Sequence, residues 1–181
     1  MDISGWIERW ADFTPNKTAI LFEDEKLSYF ALIEKIRACA RMLSGPLGVR
    51  HGDRVAFLGF NSPDFLALLF ACARLGAMMV PLNWRLTPDE HCYMLDHAGA
   101  SVLLVEPEFE AGVTEIQGRL GGCRMIRYGM TGEGWESFKE LLTAADGLDR
   151  DTRTGPDDPA LIVYTSGTTG RPKGAILTQQ A

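Results

Sequence analysis

A short segment near the end of the chain, YTSGTTGRPKG at residues 164–174, carries the groups that bind phosphate in proteins. Glycine accepts positive φ and lets backbone N–H groups converge on an anion, and hydroxyl side chains add further donors. A lysine adds a full positive charge, and one charged hydrogen bond of this kind contributes about 1.5–3 kcal/mol. The segment therefore predicts a phosphate-binding site, whose candidate residues are Thr165, Ser166, Gly167, Thr168, Thr169, Gly170 and Lys173.

The residues around this segment predict that it connects two strands. Residues 160–165 form a mostly apolar strand pattern, and residues 175–178 favour a strand over a helix. This context differs from the Walker loop, in which Gly-Lys-Ser/Thr opens a helix, because here Pro172 directly precedes Lys173. A flexible polar turn between two strands is the alternative that the same composition allows.

Alternating strand and helix patterns precede the segment. Ser62 is a natural N-cap, Thr87 and Glu90 have the spacing of a capping box, and Gly76 and Gly99 are typical helix ends. This alternation predicts an α/β fold with a doubly wound, mostly parallel sheet and flanking helices. Ligands bind such sheets at the carboxyl ends of the strands, where the quoted segment begins. Strands are predicted at 18–22, 26–29, 54–59, 77–82, 101–105, 124–128, 160–165 and 175–178, and the helices lie between them, with a short one at 135–145.

The organisation of the chain divides into three predicted parts. Residues 1–145 form an N-terminal α/β body, and the Asp-, Gly- and Pro-rich stretch 146–159 reads as a linker or surface loop. Residues 160–181 would begin a following, truncated subdomain. The apolar side chains of its strands would lack cover, so we expect a tail that pairs with a second copy of the chain, as a homo-oligomer, or stays mobile.

Composition and charge exclude several classes of protein. Of 181 residues, 46% are hydrophobic and 23% are charged, as in ordinary globular proteins, and the net charge is −6. This acidity argues against a general nucleic-acid partner, which requires a basic surface. The longest apolar run, residues 65–73, is far shorter than the roughly 20 residues that span a bilayer, so no transmembrane segment is predicted.

The cysteines point to a reducing compartment. Cys39, Cys72, Cys92 and Cys123 have no paired spacing, and no secretory leader is predicted at the start of the sequence. Reduced, mostly buried thiols in a cytoplasmic protein are therefore favoured over disulfides.

The order of residues in YTSGTTGRPKGA resembles the phosphate-binding signature of the adenylate-forming superfamily, which includes acyl-CoA synthetases, adenylation domains of peptide synthetases and luciferases. The segments GDRVAFLGFNSPDF, ACARLGAMMVPLNWRLTPDE and DDPALIVYTSG are similar to acyl-CoA synthetases, in the same order. The chain thus resembles the N-terminal portion of an AMP-forming acyl-CoA synthetase, acting on a fatty acid or another carboxylic acid.

This resemblance implies a two-step reaction. A carboxylate attacks the α-phosphate of ATP and expels pyrophosphate, and the thiol of coenzyme A then captures the acyl-adenylate. The seven candidate residues would hold the β- and γ-phosphates, with Mg²⁺ beside them. Family members continue well beyond this loop, so the resemblance places the catalytic residues outside the 181-residue chain, which we expect to be inactive alone.

Two alternatives stay open at this point. The parent could be an amino-acid-adenylating domain of the peptide synthetase type, since the residues that would line the substrate pocket are absent. In a different class, the chain could be a non-catalytic module that binds nucleotide phosphate or a partner chain.

Arg85 and Trp84, in PLNWRLT, follow a predicted strand end and precede a capped helix, which is a ligand-facing position. In some acyl-CoA ligases the matching arginine contacts the nucleotide phosphate of coenzyme A, so Arg85 is a candidate coenzyme A residue. A structural salt bridge between Arg85 and a neighbouring carboxylate is an alternative that the sequence favours equally. Trp84 is expected to pack against other side chains.

The remaining polar candidates are not expected to carry chemistry. His91 and His97 lie ~240° apart around one helix and cannot converge on a metal, so solvated or capping roles are expected. His51 has no partner that the sequence identifies. Asp157 and Asp158 are adjacent ahead of a strand, point apart, and are predicted to be loop surface.

Overall fold

The computed structural model describes residues 2–128, 135–165 and 171–180 of the chain. The strands are β1 Thr18–Phe22, β2 Glu25–Ser28, β3 Arg54–Leu58, β4 Met78–Leu82, β5 Val102–Val105, β6 Arg124–Arg127, β7 Glu136–Ser137, β8 Pro159–Thr165 and β9 Lys173–Thr178. The helices are α1 Ser4–Phe13, α2 Tyr29–Ser44, α3 Pro63–Leu75, α4 Pro88–Ala98, α5 Glu110–Ile116 and α6 Phe138–Thr143, with 3₁₀ turns at Pro107–Phe109 and Gln117–Arg119 beside α5.

The main sheet has seven strands in the order β7-β6-β5-β3-β4-β8-β9, and β1 and β2 form a separate hairpin. All neighbours in the main sheet are parallel except β8 and β9, which are antiparallel. The predicted doubly wound, mostly parallel α/β fold is therefore confirmed. Because parallel strands end at the same edge, the carboxyl ends of β3, β4 and β8 lie side by side.

Helices cover both faces of the sheet, and β3 shows how its residues divide between them. Val55 and Phe57 pack into the apolar cluster that α2 and α3 cover, whereas Ala56 and Leu58 pack into the cluster beneath α4 and α5. Alternate residues of a strand point to opposite faces, so a strand buried on both faces must be apolar throughout. The sequence RVAFL meets that requirement at every position after Arg54.

The predicted helix boundaries are observed with their caps. The Ser62 hydroxyl accepts a hydrogen bond from the Phe65 N–H, and Thr87 and Glu90 form the reciprocal capping box. Gly76 ends α3 with φ of +66°, and an added Cβ would collide with the His51 ring, so glycine is required there for conformation and for space.

Two elements differ from the sequence-based predictions. No helix was predicted for α1, which buries only the small residues Ser4, Gly5 and Ala11 and leaves Trp6 and Phe13 largely exposed. Its pattern therefore lacks a stripe of large buried residues. The predicted helix at 135–145 begins instead with the short edge strand β7, and only α6 is helical.

A buried arginine joins α1, α3 and the stretch 146–159. The Arg74 side chain is 2% exposed; its Nε donates to the Asp149 carbonyl at 2.7 Å and its Nη1 to the Ser4 hydroxyl at 3.1 Å. The carboxylates of Asp149 and Glu8 lie 3.5 and 3.7 Å from its guanidinium. Burial, with the nearby Arg150, lowers the pKa of Arg74, and the two carboxylates oppose that shift. The stretch predicted as a linker is thus fastened to the body at this point.

The last two strands belong to the same sheet as the body, since Leu161 of β8 pairs with Met79 of β4. Ile162 is buried, whereas Ile176 and Leu177 of β9 are 59% and 42% exposed. The expected lack of cover is therefore observed for these two side chains of β9, but it is wrong for Leu161 of β8, which packs against the core. The division into body, linker and following subdomain stays a prediction, as does pairing with a second copy.

The cysteines are mostly buried, as predicted. Cys39, Cys72 and Cys92 are buried, Cys123 is half-buried, and all four are free thiols. In the described ranges, none of the helices combines the length and apolar character needed to cross a bilayer.

We predict that Arg74→Met lowers the free energy of unfolding by about 2 kcal/mol, because it leaves the Ser4 hydroxyl and the Asp149 carbonyl without their buried donor. Urea denaturation followed by tryptophan fluorescence measures the change. Arg9→Met, at an exposed position of α1, is the matched control and should change stability by less than about 0.5 kcal/mol. Equal effects of the two substitutions would contradict the structural role of Arg74.

Candidate functional site

A cleft of about 670 Å³ opens at the carboxyl ends of β3, β4 and β8 and is closed on one side by α4. This is the edge at which a doubly wound sheet binds its ligands. Two of the predicted site residues, Thr165 and Arg85, line this cleft. Other lining side chains include Phe60, Trp84, Glu90 and Tyr164.

The two described ends of the predicted phosphate loop lie opposite each other. Thr165 is the last residue of β8, Lys173 is the first residue of β9, and the two are partners in the antiparallel ladder. Both are exposed. The two strands predicted on either side of this segment are therefore observed. The candidates Ser166, Gly167, Thr168, Thr169 and Gly170 lie outside the described residues.

Arg85 lies on an aromatic cluster at the mouth of the cleft. Its guanidinium carbon is 4.1 Å from the centroid of the Trp84 ring. Trp84 packs against Phe60 at 5.3 Å and Phe109 at 6.3 Å between centroids, so its predicted packing role is confirmed. In the described part of the chain no carboxylate lies within 4 Å of Arg85. The salt-bridge interpretation therefore finds no partner there, and the cation faces the cleft.

The side chains of the two histidines of α4 have separate partners. His91 is buried, and its Nε2 lies 2.9 Å from the Asn83 carbonyl oxygen. Burial lowers the pKa of His91, which favours the neutral ring. His97 Nδ1 lies 2.8 Å from the Tyr164 hydroxyl. The expected solvated or capping role is thus wrong for His91, which is buried. Its partner, the Asn83 carbonyl, lies outside α4, so the helical periodicity could not indicate this contact.

No group of three or more metal-ligating side chains occurs among the residues that the structure describes.

Glu106, which sequence reasoning missed, lies beside the site and contacts Phe60, one of the residues that line the cleft. It follows β5 directly, and its Oε2 accepts a hydrogen bond from the Phe60 N–H at 2.8 Å. A Cβ at position 59 would collide with this carboxylate. Glycine at this position therefore leaves room for Glu106 beside the end of β3. Burial raises the pKa of Glu106, and Glu108 and Asp64 add to that rise, while the Phe60 N–H opposes it. The available signal was an acidic residue at the carboxyl end of the buried strand VLLV.

The amino-terminal edge of the sheet holds the other polar candidates. His51 Nε2 lies 3.2 Å from Asp158 Oδ2, a partner that the sequence did not identify. Asp158 also accepts from the Gly155 N–H, and this bond and the His51 side chain lower the pKa of Asp158. Asp157 accepts instead from the Gln180 amide. The two aspartates have separate partners and do not form a paired-carboxylate site.

Comparisons with known proteins give one consistent result. A family model described as "AMP-binding enzyme" matches residues 7–181. The chain is 46% identical over 182 residues to an indoleacetate–CoA ligase of Aromatoleum aromaticum, with 100% of this chain and 36% of the relative covered. It is 42% identical over 176 residues to a feruloyl-CoA synthase of an Amycolatopsis species, with 97% of this chain and 33% of the relative covered.

The fold comparison agrees. The crystal structure of an anthranilate CoA ligase in complex with anthranoyl-AMP superposes with a TM-score of 0.91 at 28% identity, covering 99% of this chain and 35% of that one. The chain therefore spans about a third of the length of the relatives it matches.

The raised pKa of Glu106 predicts that the free energy of unfolding depends on pH. Because its folded-state pKa is raised, the folded chain holds this proton more tightly than the unfolded chain does. The resulting stabilisation is full below the unfolded-state pKa and is lost as the pH rises through the folded-state pKa. Glu106→Gln keeps an acceptor for Phe60 and should raise the free energy of unfolding at pH 7, by on the order of 0.5 kcal/mol for a partly solvated group.

Urea denaturation at several pH values between 4 and 8 measures this effect, and the gain should shrink as the pH falls. Glu115→Gln, at an exposed position of α5, is the control and should leave the profile unchanged. A loss of stability at pH 7 in Glu106→Gln would contradict the assigned cause.

Proposed function

The chain belongs to the AMP-binding enzyme family, and from that membership we propose that its parent protein is an AMP-forming carboxylic acid–CoA ligase. The parent would join a carboxylate to AMP with release of pyrophosphate, and then transfer the acyl group to coenzyme A. The observation that carries this proposal is the β8–β9 pair. It places Thr165 and Lys173 together at the ligand-binding edge of the sheet, on either side of the SGTTG segment.

The role proposed for this chain is to bind the β- and γ-phosphates of ATP. Backbone N–H groups and hydroxyls would surround the phosphates, with Lys173 supplying a cation. The pyrophosphate gains charge as it leaves, so preorganised donors lower the barrier, and loss of one such donor costs a factor of about 10²–10³ in rate. The proposed binding residues are Thr165, Ser166, Gly167, Thr168, Thr169, Gly170 and Lys173.

Mg²⁺ fits this donor set. The Thr165 hydroxyl at the cleft edge is a hard oxygen donor, the kind that Mg²⁺ prefers, and phosphate oxygens would supply further ligands. When bound, the ion neutralises phosphate charge. Few carboxylates are then needed from the protein, which agrees with the described side chains that line the cleft.

Arg85 is proposed to meet a phosphate of coenzyme A. Stacking on Trp84 fixes the guanidinium plane while leaving its N–H groups free for an anion. Arg85 would thus supply a cation for coenzyme A, as Lys173 would for ATP.

We further propose that the carboxylate is aromatic, because indoleacetate and ferulate are named for the two relatives given above. Fatty acids are the competing substrates. A cytoplasmic location is proposed with this function, in keeping with four free thiols.

The full-length parent provides the test. ATP–pyrophosphate exchange should require a carboxylic acid, with aromatic acids favoured over fatty acids and amino acids, and the product should be a coenzyme A thioester. Transfer to a carrier protein alone would assign the adenylating-domain alternative, and nucleotide binding without exchange would assign the non-catalytic one. The 181-residue chain alone should show no ligase activity.

Lys173→Ala in the parent should slow ATP–pyrophosphate exchange by about 10²-fold, because its ammonium contacts pyrophosphate that departs in the first step. Thioester formation from preformed acyl-adenylate should change less than about twofold. Lys139→Ala, at an exposed position of α6, is the control for loss of one surface cation. Equal losses in both steps would overturn the assignment of Lys173.

Arg85→Ala should raise the KM for coenzyme A about tenfold, as expected for loss of one charged hydrogen bond of 1.4 kcal/mol or more, and leave the KM for ATP unchanged. Steady-state kinetics with each substrate varied in turn provide the measurement. Arg85→Lys keeps the charge but loses the planar stacking and should show a smaller rise. If both KM values stay constant while the melting temperature falls, Arg85 has a structural role only.

A further inference from the structure

We infer that Tyr93 and His97, one turn apart on α4, are positioning residues that together hold the end of β8 and the start of β9. In this way they would fix Thr165 and Lys173 in the geometry that phosphate binding requires. The inference rests on the proposed function for its catalytic consequence, whereas the contacts themselves are independent of it.

The end of β8 is held through Tyr164, the residue before Thr165. The Tyr164 hydroxyl donates to the Met94 carbonyl at 3.2 Å, and His97 Nδ1 lies 2.8 Å from the same hydroxyl oxygen. A hydroxyl has one proton and can donate it to one of these two partners at a time. When the hydroxyl donates to Met94, His97 Nδ1 is the donor to the hydroxyl oxygen, a role that both the neutral Nδ1–H tautomer and the imidazolium can fill.

The start of β9 is held through Tyr93. The Arg171 guanidinium lies 5.5 Å from the centroid of the Tyr93 ring, within the range of a cation–π contact. The Tyr93 hydroxyl reaches the Pro172 carbonyl oxygen at 3.5 Å. Lys173 is the next residue, so this contact acts directly before the proposed phosphate ligand.

The two helix residues act as one unit. Tyr93 and His97 are four residues apart and share a helix face, and their rings stack with centroids 5.5 Å apart and planes at 26°. The His97 ring also meets the Tyr164 ring edge-on at 5.8 Å. One face of α4 therefore contacts β8 and the two residues that directly precede β9.

The α4 contacts lie at the end of the β8–β9 pair that is remote from its register with β4. In the described residues, β4 and β8 share one registered pair, Met79 with Leu161, near the start of β8. The contacts with α4 therefore add to the β8–β9 ladder at the end that carries Thr165 and Lys173. A displacement of about 1 Å at a reacting group can cost 10²-fold in rate.

The test separates the hydrogen bond from the ring. His97→Phe keeps a ring to stack on Tyr93 but removes the Nδ1 donor, whereas His97→Asn keeps an N–H donor near that position and removes the ring. In the parent, His97→Phe should lower kcat/KM for ATP in pyrophosphate exchange about tenfold, and His97→Asn should recover most of it. Thioester formation from preformed acyl-adenylate should change less than about twofold.

Two further variants complete the set. Tyr164→Phe should match His97→Phe, and the double substitution should cost little more than either one, since both break the same contact. Asp96→Asn, at the exposed position beside His97, is the control and should leave both half-reactions unchanged.

Hydrogen exchange on the 181-residue chain gives a readout without catalysis. His97→Phe should speed exchange in the peptides covering residues 160–165 and 173–178 about tenfold, with β3 and β5 unchanged. Equal loss of both half-reactions, or unchanged exchange in these peptides, overturns the positioning role. If the wild-type parent lacks pyrophosphate exchange, the proposed ligase function fails, and the hydrogen-exchange result alone still decides whether α4 holds the strands.

Discussion

The antiparallel pairing of Thr165 with Lys173 is the constraint on which the candidate site depends. A loop that encloses an anion needs both of its ends at one edge of the sheet. β8 reaches that edge because it runs parallel to β4, and β9 leaves from it because it turns back against β8. A helix after the loop, as in the Walker arrangement, would carry Lys173 away from Thr165. The strand that follows instead keeps the lysine opposite the hydroxyl.

Burial of the central strands fixes where this edge lies. β3 and β5 are apolar on both faces, so helices must cover both, and the only polar residues allowed near them stand at the strand ends. Glu106, Asn83 and Thr165 all stand at such ends, beside the cleft. The net charge of −6 is therefore no obstacle to an anion site, because a local set of N–H groups and cations decides the potential there.

The sequence predicted those features that depend on neighbours along the chain. The caps at Ser62 and Thr87 and the alternation of strands and helices are local patterns, and they were confirmed. The partners of Glu106, His51 and Arg74 were not predicted, because each lies more than 40 residues away in sequence. Helix α1 was not predicted from the sequence because it buries small residues and exposes large ones. Periodicity reports which residues are apolar, whereas these contacts depend on polar atoms that tertiary structure brings together.

Among the described residues, the two outer strands of the main sheet differ in length. β7 has two residues, whereas β9 has six and exposes Ile176 and Leu177. Pairing within a hairpin fixes its two strands relative to each other but not relative to the rest of the sheet. Backbone pairing can therefore keep Thr165 opposite Lys173 without placing either against a ligand.

Placing Thr165 and Lys173 against a ligand requires contacts from outside the hairpin. On the cleft side these come from α4, whose own start is fixed by the Thr87–Glu90 capping box and whose end is fixed by Gly99. The strong local signals at the two ends of α4 thus define the helix that contacts the hairpin beside the proposed phosphate-binding edge.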